Sequence, residues 1–293
     1  MDRLIGFFRL ARPANIVTAV SDILAGVAIS GYLINHSGNY SGLLWLIIST
    51  IGLYGGGVVL NDVFDAELDA VERPERPIPS GLISVGEAAR MGVLLLVAGV
   101  FFGYLASPFS GALAFATAIA AVVYDKWSKH SSFFGPLNMG LCRGLNLTLG
   151  ISIVPEQVPE LWMLGLVPVV YIAAVTLVSR GEVHGGNEST GYLAGLLYLI
   201  AMTSILYNAF ILGEGVTTLF FLFAWAFMVF VPLRNAIVKP EGPAIGRAVK
   251  AGVLGLILMN AAWASAFGST YLALIIVLLL PFSIILAKAF AVT

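Results

Sequence analysis

Long apolar runs separated by short polar segments occupy almost the whole chain of 293 residues. Ten of these runs are each near the ~20 residues that an α-helix needs to cross a bilayer. The pattern predicts ten membrane-spanning helices, at residues 14–35, 41–64, 88–106, 109–127, 134–154, 161–180, 190–212, 216–234, 245–267 and 270–290.

Composition places the chain in the same class. Hydrophobic residues make up 59% of it and charged residues 11%, with a mean hydropathy of +0.96, whereas a soluble domain carries about a quarter charged residues. Residues 1–12 mix apolar and basic side chains in the manner of a short helix lying in the membrane interface. We therefore expect one all-α, multi-pass integral-membrane domain over residues 1–293, without a cleavable signal peptide or a nucleic-acid-binding patch.

The basic residues alternate from one connection to the next. Basic residues precede span 1, occupy the loops after spans 2, 4, 6 and 8, and end span 10, while the segments "NHSGNY", "SPFS", "PEQVPE", "LGEG" and "FGST" contain none. Basic loops stay in the cytoplasm, so the pattern predicts that both termini and every charged loop are cytoplasmic. Arg143, inside span 5, is the basic residue that does not fit this arrangement.

A carboxylate-rich segment, "NDVFDAELDAVERPERPIPSG", begins at the end of span 2. On a helix, Asp62, Asp65 and Asp69 fall within one narrow arc with Asn61 beside it, while Glu67 points away. Carboxylates on one face repel each other unless a cation lies between them, and oxygen ligands of this kind suit Mg²⁺. The pattern predicts a Mg²⁺ site, and a solvated helix end at the interface is the alternative.

The same segment closely resembles the first aspartate-rich motif of the UbiA-type intramembrane prenyltransferases, including its trailing "RPIPSG". "ARPAN", residues 11–15, resembles the start of the family's first span, and "YDKWSKHSSFFGPLNMG", residues 124–140, resembles its basic loop after span 4. The resemblance implies a UbiA-like helical bundle, usually of nine spans, around a central cavity; ten predicted spans are one more. It also implies Mg²⁺-dependent transfer of a prenyl group from a polyprenyl diphosphate to a small-molecule acceptor.

The charged residues around this motif form the predicted diphosphate site. The residues expected to bind Mg²⁺ and to act in catalysis are Asp62, Asp65 and Asp69. The residues expected to contact the substrate are Asn61, Arg73, Arg76 and Lys129. Lys126 is expected to act in catalysis at the diphosphate oxygens. For both lysines, the alternative is an ordinary basic loop residue.

The second acidic motif that the resemblance implies, two aspartates at the cytoplasmic end of span 6, is altered. "LVSRGEVHGGNES", residues 177–189, contains no aspartate. It offers Glu182 as a metal contact and His184, which prefers softer metals than Mg²⁺. A polar Gly-rich loop without a catalytic role is the alternative. Together with "CRGLN" in span 5, the altered motif resembles the prenyltransferase-related EboC-like branch of the superfamily.

Two predicted spans carry polar residues inside the membrane. Arg143 and Asn146 share one face of span 5, and Asn15 and Asp22 share one face of span 1. A charged residue within a span is costly and normally faces a cavity or a partner. We therefore expect Asp22 to pair with Arg143 and these four residues to contact substrate. A purely structural ion pair, or an arginine that snorkels to the interface, is the alternative.

The leading interpretation is a Mg²⁺-dependent prenyltransferase at the cytoplasmic membrane face, with a polyprenyl diphosphate, a small-molecule acceptor and membrane lipid as partners. The rival is a UbiA-like protein that binds or moves an isoprenoid or related small molecule without transferring it. The first acidic motif favours the enzyme, whereas the altered second motif, Asp22 and Arg143 favour the rival. An ion-coupled transporter would need inverted repeats, which the sequence does not show.

Overall fold

The computed structural model describes residues 2–35, 40–181 and 188–290 of the chain. Within these ranges every regular element is helical and there is no strand. The longer helices are α1 (Asp2–Ala11), α2 (Pro13–Ile29), α3 (Ser41–Phe64), α4 (Ala66–Glu72), α5 (Val85–Ala106), α6 (Pro108–Val123), α7 (Phe134–Ile151), α8 (Leu166–Ser179), α9 (Glu188–Ile211), α10 (Gly215–Val238), α11 (Gly242–Ala266) and α12 (Thr270–Ala289). Shorter helical turns lie at Tyr32–Asn35, Pro155–Gln157, Val158–Leu161 and Trp162–Gly165, and a π-helical turn lies at Tyr124–Ser128.

A helix lies at each of the ten predicted spans, which confirms an all-helical, multi-pass membrane protein. Eight helices in the described residues are long and apolar enough to cross a membrane, or nine if α1 and α2, which meet at 40°, form one bent span. α7 also lies at a predicted span but is not among these nine. Its 18 residues include Asn138, Arg143 and Asn146. Its polar side chains must therefore be satisfied inside the bundle.

Two helix boundaries differ from those that hydrophobicity predicts. α2 ends at Ile29 rather than at residue 35, because Gly31 adopts a φ of 69°, a left-handed conformation that ends a helix. The apolar run that begins at residue 161 first forms a 3₁₀ turn, and the regular helix α8 begins at Leu166. Hydrophobicity locates a span but does not report where its backbone is helical.

Glycines bring two pairs of helices into backbone contact. A Cβ on Gly56 of α3 would lie 2.8 Å from the carbonyl oxygen of Gly92 on α5, and one on Gly26 of α2 would lie 2.3 Å from that of Leu147 on α7. Neither position leaves room for a larger side chain. The close approach of α2 to α7 places Asp22 and Arg143 within hydrogen-bonding distance of each other.

α2 is the helix around which the site is arranged, since it packs against α3, α7, α11 and α12. α11 is the most enclosed of the apolar spans, with 72% of its apolar window buried, whereas α12 has 22% buried and lies at the edge of the bundle. Polar side chains on α2 therefore point among helices rather than toward lipid.

The close approach of α2 to α7 predicts an unusual response to a small substitution. Alanine normally stabilises a helix over glycine by ~0.5–1 kcal/mol, but the Cβ of Gly26→Ala would meet the Leu147 carbonyl. We expect Gly26→Ala to lower the melting temperature of the purified protein in detergent. Gly86→Ala, in α5 with nothing within 4 Å of the added Cβ, is the matched control and should not lower it. Equal melting of the two variants would contradict the packing described.

Candidate functional site

The acidic motif spans the junction of α3 and α4. α3 ends at Phe64 and α4 begins at Ala66, yet the Asp65 amide donates to the Asn61 carbonyl at 3.0 Å and the Asp69 amide donates to that of Asp65 at 2.8 Å. Helical hydrogen bonding thus continues through the junction. Asp62 and Asp69 remain two turns apart on one buried side, as their spacing predicts.

Two arginines compensate the buried carboxylates. Arg76 Nη1 lies 2.6 Å from Asp69 Oδ2 and 3.5 Å from Asp62 Oδ1, and Arg12 Nη2 lies 2.5 Å from Asp62 Oδ1. The side chains of Asp62 and Asp69 are only 5% and 2% exposed, so their charges need these partners. Arg73 lies 3.6 Å from Asp69 with its own side chain half exposed.

Asp65 has a different partner, Lys129, which lies in the segment after α6. Lys126, the other predicted lysine, is exposed, and its ammonium lies 4.7 Å from the centroid of the Trp127 ring. The π-helical turn between α6 and Lys129 decides which lysine faces the motif. The structure therefore brings Lys129, and not Lys126, to the carboxylates. The catalytic role of Lys126 stays a prediction.

Asp125, in the same π-helical turn, was not among the predicted site residues. It is 4% exposed, and its Oδ1 accepts a hydrogen bond of 2.9 Å from Nδ2 of Asn61. Its Oδ2 is buried and has no hydrogen-bond partner. Arg12 was also missed as a site residue. The signals present in the sequence were an aspartate near the end of the predicted span 109–127 and an arginine between two predicted helices.

A second polar cluster lies deeper, among α2, α7 and α11. Arg143 donates to Asp22 Oδ2 at 2.8 Å and to the Thr18 hydroxyl at 2.6 Å. Asn146 donates to the same Asp22 oxygen at 3.0 Å, and Asn260 donates to its other oxygen at 2.7 Å. The predicted Asp22–Arg143 ion pair is present and buried. Asn260 was not predicted as a member, because it lies far along the chain in an otherwise apolar span.

A cavity of about 240 Å³ separates this inner cluster from the outer carboxylates. The predicted site residues that line it are Asn15, Asn61, Arg143 and Asn146. Arg12 and Asp125 also line it, and most of the remaining lining is apolar and comes from α3, α6, α8 and α11. Asp62 adjoins the cavity through its bond to Arg12, and Arg76 in turn contacts Asp62.

A second cavity of the same volume lies among α8, α9, α10 and α11, and Arg180 is the charged residue in its described lining. The altered second motif is close by in sequence. Glu182 and His184 lie outside the residues that the structure describes, so the predicted metal contact of Glu182 stays a prediction.

The donor atoms of the outer site fit Mg²⁺ in their chemistry. Carboxylate oxygens together with substrate phosphate oxygens are the ligands that this cation prefers. One carboxylate oxygen here, Oδ2 of Asp125, accepts no hydrogen bond from the protein. In the described part of the chain, however, no three His, Cys, Asp or Glu side chains converge as a preformed metal cluster. Asp62, Asp65 and Asp69 are instead each bonded to a basic side chain.

Comparison with known sequences identifies the family. Residues 23–242 match the UbiA prenyltransferase family, and because this is more than half of the chain, the protein belongs to that family. Digeranylgeranylglyceryl phosphate synthase of Ignicoccus hospitalis is 28% identical over 201 residues, which cover 68% of this chain and 64% of the relative. The chain thus matches just under two thirds of that relative's length.

Solved structures show the same fold. A solved structure of digeranylgeranylglyceryl phosphate synthase superposes with a TM-score of 0.67 at 20% identity, over 92% of this chain and 100% of that one. A UbiA homolog from Archaeoglobus fulgidus bound to GPP and Mg²⁺ superposes with a TM-score of 0.56 at 14% identity, over 91% of this chain and 99% of that one. Placement in the EboC-like branch stays a prediction.

The inner ion pair predicts a large and specific loss of stability. Removing one partner of a buried pair leaves an uncompensated charge, at a cost of about 3–5 kcal/mol. We expect Arg143→Met to lower the free energy of unfolding in mixed micelles by this amount, and Asp22→Asn to recover part of it in the double variant.

Arg3→Met is the matched control for that substitution. Arg3 pairs with Glu87 through a side chain that is 61% exposed, and water screens exposed pairs, so the loss of this one should change the stability little. If Arg143→Met were as stable as Arg3→Met, the Asp22–Arg143 pair would not hold α2 to α7.

Proposed function

We propose that the protein is a Mg²⁺-dependent prenyltransferase that moves a prenyl group from a polyprenyl diphosphate to a small-molecule acceptor. The observation that carries the proposal is the cluster of paired carboxylates and basic side chains beside a largely apolar cavity within a membrane bundle. A prenyl diphosphate has a charged head and an apolar tail, and this arrangement offers a matching surface to each end.

The outer site would bind the diphosphate. Arg12, Arg76 and Lys129 are bonded to carboxylates and can turn the same N–H groups toward phosphate oxygens, with Arg73 as a half-exposed auxiliary. The residues that would hold Mg²⁺ are Asp62, Asp65 and Asp69, with Asn61 as a substrate contact and Glu182 as a further metal contact. When bound, Mg²⁺ neutralises diphosphate charge and makes it a better leaving group.

The reaction breaks the bond between the allylic carbon and the diphosphate oxygen, and pyrophosphate leaves with the bonding electrons. The acceptor then bonds to the cation-like carbon and loses a proton. We assign acceptor binding to the inner wall of the cavity, where Asn15, Arg143 and Asn146 present polar groups and Asp22 fixes the Arg143 guanidinium. Apolar walls between the two ends exclude water, which would otherwise compete as an acceptor.

The reacting face and the domain organisation are part of the same proposal. Residues 1–293 would form one membrane domain, with both termini and every charged loop in the cytoplasm. The alternation of basic and uncharged connections supports this orientation. The diphosphate would then reach the site from the cytoplasm, while the membrane lipid surrounds the prenyl tail.

The rival function, binding or moving an isoprenoid without transfer, is favoured by one observation: residues 177–189 contain no aspartate. A site with fewer metal-binding carboxylates can bind a diphosphate and still neutralise too little charge for ionisation. The two functions differ in whether a prenylated product forms.

A transfer assay on purified protein in proteoliposomes tests the proposal. Radiolabelled geranylgeranyl diphosphate and Mg²⁺ would be supplied with a panel of lipid-soluble acceptors that includes a glyceryl phosphate ether. We expect a prenylated product whose rate falls about 100-fold or more in Asp65→Ala, because a charge-stabilising group is lost. The exposed Glu67 provides the matched control, and Glu67→Ala should keep the wild-type rate.

Three outcomes would contradict parts of the proposal. Mg²⁺-dependent binding of the diphosphate with no product from any acceptor would favour the rival function. Equal losses in Asp65→Ala and Glu67→Ala would mean that the acids act only as a surface cluster. In sealed inside-out vesicles, activity with externally added diphosphate is expected, and activity only after permeabilisation would contradict the cytoplasmic face.

A further inference from the structure

Asp125 is the buried charged group that the proposed function leaves without a role. It lines the main cavity from the π-helical turn that follows α6, and it is 4% exposed. Its Oδ1 accepts one hydrogen bond from Asn61, and its Oδ2 has no hydrogen-bond partner. A carboxylate buried with an unsatisfied oxygen is costly unless a cation or a donor completes it.

The side chains around Asp125 do not supply that cation. Arg12 and Lys129 attract its charge from a distance, but each is bonded to another carboxylate, Asp62 and Asp65 respectively. Asp65 itself repels Asp125. A neutral amide would accept the Asn61 hydrogen bond equally well, so the hydrogen bond alone does not explain why a carboxylate occupies this position.

The π-helical turn aligns this segment with the acidic motif. The Lys129 amide donates to the Tyr124 carbonyl at 3.0 Å, which closes a turn one residue wider than an α-helical turn. Asp125 and Lys129, four residues apart, contact Asn61 on α3 and Asp65 at the junction of α3 and α4, which are also four residues apart. Such turns occur mostly as single insertions and are frequent at functional sites. The two facing turns thus place Asp125, which lines the cavity, next to the turn that carries Asn61 and Asp65.

We propose that Oδ2 of Asp125 is a Mg²⁺ ligand of the diphosphate site, on the side of the site formed by Asn61 and Asp65. This inference rests on the proposed function and extends its metal site to a residue of α6's π-helical turn. Residues 177–189 contain no aspartate that could bind metal. The carboxylate of Asp125 supplies a metal-binding oxygen from the π-helical turn instead. The cation takes the unpartnered oxygen and relieves the repulsion between Asp125 and Asp65.

Metal binding can be measured without turnover. Mn²⁺ would replace Mg²⁺ as an electron paramagnetic resonance reporter, and geranylgeranyl thiolodiphosphate would replace the reactive diphosphate. We expect Asp125→Asn, which keeps the shape and the acceptor for Asn61, to weaken Mn²⁺ binding in the presence of the analogue by about 10-fold or more. Glu67→Gln removes the same charge from an exposed position and should bind Mn²⁺ as the wild type does.

A cysteine variant tests direct ligation and guards against misfolding. Asp125→Cys should bind Mn²⁺ poorly but bind Cd²⁺ with the ultraviolet absorption of a metal thiolate, because soft metals prefer sulfur. The wild type, which has the same single native Cys142, is the control for that absorption. Melting in chelator should show both Asp125 variants at least as stable as the wild type, since a like-charge repulsion is removed.

The outcomes separate this assignment from the function on which it rests. Mn²⁺ binding by Asp125→Asn at the wild-type affinity, or Asp125→Cys without a Cd²⁺–thiolate signal, would overturn the ligand assignment and leave the proposed function standing. The assignment would also be overturned if Asp125→Asn weakened binding of the analogue equally with and without metal. Asp125 would then be a contact to the substrate and not a metal ligand. A wild-type protein that binds no Mn²⁺ with the analogue would overturn both.

Discussion

A carboxylate inside a membrane helix bundle must be matched by a cation or by hydrogen-bond donors, and this requirement ties the helices of the protein together at two depths. At the inner level Asp22 is matched by Arg143, Asn146 and Asn260, which joins α2 to α7 and α11. At the outer level Asp62 and Asp69 share Arg76, and Arg12 joins the start of α2 to the end of α3. Each match fixes the position of a helix because the unpaired alternative is costly.

The cavity lies between these two levels, and its shape follows from them. Its ends carry polar groups and its sides are largely apolar, so an amphipathic ligand can satisfy both. Its volume of about 240 Å³ is below the roughly 300–1,000 Å³ of usual ligand pockets. In the proposed function the cavity would enclose the reacting end of a long prenyl chain and leave the rest of the chain to pass between helices or into lipid.

Much of this organisation could be predicted from local sequence. Hydrophobic length located the helices, and the cost of charge within a span pointed to the Asp22–Arg143 pair. Helical spacing predicted that Asp62 and Asp69 share a side. These predictions succeed because they depend on one helix at a time or on a charge with few possible partners.

The parts that sequence did not reveal depend on backbone irregularity or on distant contacts. Arg12 has a φ of 48° at the break between α1 and α2, and this conformation, which no local pattern indicates, accompanies its bond to Asp62. The π-helical turn at Tyr124–Ser128 selects Lys129 over Lys126 and buries Asp125. Asn260 meets Asp22 across 238 positions of sequence. Helical periodicity carries no information about any of these contacts.

The most direct test of the account is an experimental structure of the protein in lipid nanodiscs with Mg²⁺ and geranylgeranyl thiolodiphosphate. We expect a diphosphate bonded to Arg12, Arg76 and Lys129, with metal at the carboxylates of the first motif and the first isoprene units in the cavity beside Arg143. A diphosphate bound instead in the second cavity beside Arg180, with the outer carboxylates still paired to their arginines and lysine, would contradict it.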